Sequence, residues 1–474
     1  MTTLAPAESF RLMEQRLATG KTRLTLTEAA ALTGLSLDAA ESALRDLLIR
    51  YDCHLQVTEN GDIIYDFGPR LRRRDEKSWR EYRDDALRLL WKAFVLFFKA
   101  WIAVTLVVYF LVFLAILVIG IFSALSAGKS QGRSKSQRSG GGKVISGLLR
   151  LFAAIFEWNT ATPKKRHRTD QKGYAYTDYQ PRPALLREQQ ADSKNFIASV
   201  YDFVFGPPRV ARDPLESQKE IAAYLRRNKG ILMLTEVKAL TGLASDPAAL
   251  LFSDCIGRFQ GDIRISGHKL MYGQFDRLLR ATSDQDDAKI VYYWDEYEPP
   301  HLLTGNTPNM NALIIFLNGF NLFFSLLGLA GVFGEGAAQL WLGLIPCLFS
   351  TIFFAVPLLR LPGVLSREAR RGAENRRKRV MRAIFAARGG PQTAERIVQA
   401  VNAPGSPEPL SQKAVEDILA RLVRDLPGEI RVDARGQAFY EFPIIAMELE
   451  EAERLRRQRT VERDLGKVVF DTRQ

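Results

Sequence analysis

The side chains best equipped for chemistry are three cysteines, Cys53, Cys255 and Cys347, and four histidines, His54, His167, His268 and His301. A zinc site needs about four such ligands at close spacing, and a disulfide framework needs paired cysteines. No cysteine or histidine here has ligand spacing to another, so no metal, cofactor or disulfide is expected, and a reducing compartment suits the cysteine usage. Gly140-Gly-Gly-Lys143 imitates the end of a phosphate loop. It lacks the following Ser or Thr and a preceding strand, and it lies in a low-complexity basic stretch. Neither His-Glu-x-x-His nor Gly-x-Ser-x-Gly occurs. The sequence predicts a protein without catalysis.

Charge is the next resource. The formal net charge is +13. Residues 70–92 carry nine Lys/Arg against five Asp/Glu, residues 129–172 eleven against two, and residues 360–388 ten against two. These stretches hold all the excess, and the rest of the chain is acidic. Each borders an apolar run, where Lys and Arg favour the cytoplasmic face and attract anionic headgroups. Arg72, Arg73, Arg74, Lys164, Lys165, Arg166, Arg370, Arg371, Arg376, Arg377, Lys378 and Arg379 are therefore expected at a membrane surface.

The apolar runs set the frame for those charges. A bilayer core takes about 20 helical residues. Residues 88–127 read as one long span or a re-entrant hairpin turning near Gly120. Residues 309–360 read as a transmembrane helical hairpin joined at Gly334-Glu-Gly-Ala337, with its basic exit in the cytoplasm. Asn318 and Asn321 lie inside this hairpin, where amides more often join helices than line a path. The residues between, 128–206, read as a basic linker with an interfacial amphipathic helix at 144–158. The first thirty residues lack the apolar core of a cleavable signal peptide.

Around these runs one short pattern returns. Leu26-Thr-Glu-Ala-Ala-Ala-Leu-Thr-Gly-Leu35 reappears as Leu234-Thr-Glu-Val-Lys-Ala-Leu-Thr-Gly-Leu243, and Val57–Phe67 reappears as Val432–Phe442. Gly34 suits a helix C-cap, Ser36 an N-cap, and Asn60-Gly61 a hairpin turn. Helix, helix, turn, helix and hairpin is the winged-helix order. The predicted fold class is α+β, with three small winged-helix-like modules at 1–75, 207–285 and 376–446 attached to α-helical membrane segments. A charged helix and tail at 444–474 follows, suited to a solvated face or a homo-oligomeric contact.

A DNA-reading module should present Arg, Lys, Asn or Gln on its third helix. The first copy instead leads with Asp38 and Glu41, the second with Asp246 and Asp254, and the third is balanced. Nucleic acid is thus possible but disfavoured against protein docking.

Two further segments are aromatic. Asn195–Gly206 is expected to pack on the second module, and Ile290–Pro299 to form an interfacial belt or a partner-binding strand. The run Val200-Tyr-Asp-Phe-Val-Phe-Gly206, with Glu216–Gly230 and Leu234-Thr-Glu236, resembles a group of bacterial, cyanobacterial and plastid membrane proteins of undefined activity with winged-helix-like repeats. The resemblance covers the middle third of the chain and implies the membrane-plus-module layout, with no catalytic motif. Some plastid members carry an iron–sulfur-assembly label, and this sequence lacks the cysteine cluster that chemistry requires.

The expected protein is a multi-pass component of the cytoplasmic (inner) membrane, with modules facing the cytoplasm. Its function would be a non-catalytic adaptor or scaffold that docks an unidentified protein partner on a bilayer with anionic headgroups. The alternative is a membrane-tethered transcriptional regulator. A transporter is disfavoured by the absence of charge inside the hairpin spans.

Overall fold

The structure is a computed structural model that describes residues 4–20, 22–74, 79–127, 195–209, 213–282, 290–296, 300–402, 409–461 and 463–472. The basic linker, Lys164, Lys165, Arg166 and the amphipathic stretch at 144–158 lie outside these residues. The fold mixes helices with small antiparallel sheets, as an α+β class requires.

Three units share one element order. The first runs α1 (Pro6–Thr19), β1 (Arg23–Thr25), α2 (Leu26–Thr33), α3 (Leu37–Arg50), β2 (His54–Thr58) and β3 (Ile63–Asp66). Thr25 caps α2 through a capping box: its hydroxyl accepts from Glu28 N at 3.2 Å, and Glu28 Oε2 accepts from Thr25 N at 2.9 Å. Gly34 ends α2 at φ +72°, and Ser36 caps α3. Gly61 turns the hairpin at φ +77°.

The second unit follows with α5 (Phe196–Phe205) leading in, then α6 (Glu216–Arg227), β4 (Ile231–Leu232), α7 (Leu234–Thr241), α8 (Ser245–Arg258), β5 (Asp262–Ile265) and β6 (Met271–Gln274). The third takes its opening helix from the end of a long one. There α10 (Ile345–Ala386) is followed by β7 (Gln392–Thr393), α11 (Ala394–Val401), α12 (Gln412–Asp425), β8 (Glu429–Val432) and β9 (Ala438–Glu441). In every unit the first strand pairs with the third, which pairs with the second. The first sheet gains a fourth strand, β10 (Val468–Asp471), laid antiparallel on β2. Between β9 and β10, α13 (Pro443–Gln458) crosses the second and third units.

Among the described residues three helices are long and apolar enough to cross a membrane: Asp85–Ser123, Pro308–Leu329 and Gln339–Ala386. The first belongs to α4 (Trp79–Ala127), one unbroken helix of 49 residues with no turn at Gly120. Of the two readings of residues 88–127, the uninterrupted helix is the one found. The second is α9 (Pro308–Leu329), capped by Thr307. The third continues for 42 residues as α10, about 63 Å. It carries the chain as one continuous helix, with Pro357 and Pro362 inside it, from the apolar hairpin into the third unit. Near the hairpin tip the backbones touch: a Cβ on Gly328 would lie 2.4 Å from Leu342 O, and one on Gly343 2.8 Å from Leu329 N.

The aromatic segment α5 does not pack on the second unit. Val200, Phe203 and Val204 join Ile102, Phe110, Met310 and Phe353 of the three long helices in one apolar cluster. Ten residues cannot reach across a bilayer core, and their apolar content is buried here by the helix bundle. The cores of the first and second units are also continuous, from Leu35, Leu44 and Leu47 to Leu215, Ile221 and Phe275. Burying each such side chain contributes roughly 1.5–3 kcal/mol, so these two units form one folded body.

Candidate docking interface

The two exact ends of the repeated pattern, Leu-Thr-Glu and Leu-Thr-Gly, are where the units meet. Glu28 of the first unit, buried, lies 3.7 Å from the largely covered Arg226 on α6. Glu236 of the second unit pairs with Arg456 on α13 at 2.6 Å. Each glutamate also caps its own helix, Glu236 Oε2 accepting from Met233 N at 2.9 Å. The glycine ends behave alike. Arg258 Nη1 donates to Gly34 O at 3.1 Å, and Arg377 Nη1 donates to Gly242 O at 2.9 Å. A helix C-terminus leaves carbonyls without intrahelical partners, and a guanidinium is the natural donor for them.

Both glycines are held at positive φ and pressed against the next element. A Cβ on Gly34 would lie 2.9 Å from Leu215 O, and one on Gly242 2.4 Å from the Tyr293 ring. Only glycine supplies that backbone geometry and that clearance together. In the third unit Arg379 reaches the end of α11 from within: its Nη2 donates to Val401 O at 2.8 Å, one residue before the C-cap Asn402.

Tyr293 is the centre of the second junction. Its ring is buried under Arg377 and Lys378, whose charges lie 5.5 and 4.7 Å from the centroid. Its hydroxyl donates to Glu374 and accepts from Arg377 Nη1 at 3.0 Å. Burial pushes the phenol far above its ordinary range. Lys378 Nζ donates to Glu296 O at 3.1 Å, with the Glu296 carboxylate at 3.9 Å. The stretch around Tyr293 is therefore a clamp between α7 and α10, and its central ring does not form an interfacial belt.

This geometry corrects the placement of three basic residues. Arg377, Lys378 and Arg379 do not face a membrane surface. Lys378 is 1% exposed, and all three are spent on carbonyls, carboxylates and an aromatic ring. A run of basic residues on a helix places them around its circumference, so part of the run turns inward once both sides are packed. Arg370 and Arg376 remain exposed, whereas Arg371 is paired with Glu368. Arg72 and Arg74 are exposed, and Arg73 is half-buried. The charged helix α13 is likewise not a solvated face: Glu448 and Glu451 are buried between units.

Asn318 and Asn321 are fully buried and tie the apolar helices together. Asn318 Nδ2 donates to Ser350 O on α10 at 3.0 Å, and Asn321 Nδ2 donates to Leu106 O on α4 at 2.9 Å. They bridge α9 to both neighbours.

The outward faces of α8 and α3 carry little positive charge, whereas α12 exposes Lys413, Arg421 and Arg424. On α8 the exposed residues are Asp246, Pro247, Ala249, Leu250, Ser253 and Gly257. Arg258 is buried on Asp254 and on Gly34 O. On α3 Glu41 pairs with Arg45 at 2.5 Å, leaving Asp38 and Asp46 exposed. Cys255 is buried, and burial raises its thiol well above the usual range, while Cys53 is pushed up to about 12. Neither is a reactive thiolate at neutral pH. Among the described residues no group of three or more His, Cys, Asp or Glu side chains is placed to hold a metal ion. Set beside protein-family models, curated proteins and solved structures, the chain matches none of them.

Proposed function

We propose that the chain is a non-catalytic adaptor of the cytoplasmic membrane whose winged-helix-like modules face the cytoplasm and dock protein. The observation that carries this reading is the use of the repeated pattern. In both copies its glutamate and glycine ends receive an arginine from another element of the chain. The pattern thus already works as a protein-recognition edge, twice over. The element order and the first–third–second strand order support the winged-helix reading. The continuity of α10 supports anchorage, because one helix joins the third unit to the apolar hairpin.

The outward face of α8 supports protein over DNA. Leu250 is 73% exposed in a face that displays no cation. A DNA-reading helix would need guanidinium or ammonium groups there to meet phosphates. The test uses the full chain in lipid nanodiscs. Fluorescence anisotropy with duplex DNA, from about 50 to about 200 mM salt, should show no binding that survives competitor. A photo-crosslinker at Leu250 should give one discrete protein adduct in cells, lost when the same exposed face is made acidic by Ala249→Glu. Tight, competitor-resistant DNA binding, or no adduct at all, would overturn the reading.

A further inference from the structure

Where the first unit hands over to α4, the chain forms a concave site of about 820 Å³. Among the described residues its lining includes His54, Arg70, Arg72 and Arg74, with Asp52 as the acid. The segment that supplies the arginines is pinned in an extended form. Arg73 bridges Tyr51, Asp52 N donates to Arg72 O at 2.9 Å, and Arg74 N donates to Arg50 O at 2.8 Å. Side chains alternate in extended chain. Leu71 packs on the shared core and Arg73 is half-buried, so Arg70, Arg72 and Arg74 line the cavity together. Alternate positions are about 7 Å apart, which makes a comb of three guanidinium groups.

Among the described residues one carboxylate, Asp52, faces the three guanidinium groups. Asp52 already accepts from Arg74 Nε at 3.0 Å. Arg70 and Arg72 have no acidic partner among the described residues, and both are exposed. Two arginines without an ion-pair partner among the described residues, converging on one concavity beside a third, match the fork geometry that recognises phosphate.

We infer that this site binds a phosphate group, and that its natural source is an anionic phospholipid. The source follows from position. Only residues 75–78 separate Arg74 from α4, which opens with Trp79 and Tyr82 at 82% and 56% exposure. Exposed Leu87, Leu89, Leu90 and Trp91 follow. Aromatic side chains ahead of an apolar helix mark the headgroup level of a bilayer. The inference is independent of what the units dock.

The full chain, purified in a phosphate-free maltoside detergent, tests it. Native mass spectrometry would count retained phosphatidylglycerol against phosphatidylcholine, and calorimetry would titrate inorganic phosphate. The wild type should prefer phosphatidylglycerol, and Arg70→Ala with Arg72→Ala should reduce that preference about tenfold or more. Arg70→Lys with Arg72→Lys keeps the charge and should retain part of it. Since both side chains are exposed, thermal unfolding of the variants should match the wild type. Phosphate binding that depends on the same arginines, without lipid preference, would keep the phosphate site and reject the lipid source. Lipid preference unchanged in the double alanine variant, no binding of either probe, or duplex DNA bound through these arginines would overturn the inference.

Discussion

Arg456 Nη2 donates to both carboxylate oxygens of Glu236, at 2.6 and 2.8 Å, although the two residues stand 220 positions apart. The same carboxylate accepts from Tyr224 OH at 2.6 Å, and Arg456 also reaches Ile231 O at 3.0 Å. One buried cation thereby fastens α13 to the second unit.

Removing only the cation should be costly. Arg456→Met leaves Glu236 charged in a nearly dry site, and a loss of about 3–5 kcal/mol is expected. Glu236→Gln in the same background keeps an acceptor for Met233 N and offers an amide donor to Tyr224 OH, so the double variant should recover part of that loss. Denaturant unfolding of the purified full chain measures both. A double variant as unstable as the single one would contradict the pairing argument.

Gly242→Ala should cost more than Gly61→Ala. Both glycines have positive φ, but a Cβ at Gly61 meets nothing within 4 Å, whereas one at Gly242 strikes Tyr293. Backbone strain alone is about 1–2 kcal/mol, and the clash adds to it at Gly242 only. The fluorescence of Trp294, in a background lacking the other tryptophans, should shift to the red as the clamp loosens.

Two carboxylates one helical turn apart should titrate with opposite signs. Hydrogen bonding from Arg454 holds Glu451 down to about 2, and burial raises Glu448 above its ordinary 4.5. Glu451 stabilises the fold fully above its ordinary value, and that contribution fades as pH falls from there toward about 2. Glu448 behaves in reverse: it costs stability above its raised value, and the cost disappears as pH falls below 4.5. Glu451→Gln should therefore lower the thermal midpoint at neutral pH, with the difference shrinking in acid. Glu448→Gln should raise the midpoint at neutral pH relative to its effect in acid.

Asn318→Leu and Asn321→Leu should be mild. Each removes one interhelical hydrogen bond, worth roughly 0.6–2 kcal/mol in an apolar bundle. Each also removes an amide oxygen that is buried without a partner, which offsets part of that loss. Unfolding in mixed micelles would register a change below about 2 kcal/mol; a larger one would assign these amides a task beyond joining helices.

Local signals were legible where chemistry is local. Gly34 and Ser36 cap the helices expected of them, and Asn60-Gly61 makes the first hairpin. The apolar lengths found the three long helices. What stayed hidden is long-range. Nothing in Leu-Thr-Glu or Leu-Thr-Gly names Arg226, Arg258, Arg377 or Arg456 as partners, because those arginines come from other elements. A clue was present: the two copies agree at Glu28/Glu236 and Gly34/Gly242 and differ only at Ala29/Val237 and Ala30/Lys238. The burial of Lys378 could not be read from a basic run, since composition does not say which side of a helix will be covered.

The pairing of β10 with β2 has a topological consequence. Residues 54–58 and 468–471 share one sheet, so they cannot lie on opposite faces of any bilayer the chain threads. Phe110 beside Phe316 and Phe320, and Phe113 beside Phe324 and Phe333, show α4 and α9 running the same way, away from the units. Helix α10 is the return of α9. At the units' end of the bundle Asn306 Nδ2 donates to Ser199 O and Arg360 Nη1 to Val204 O, which seats α5 at that end as well.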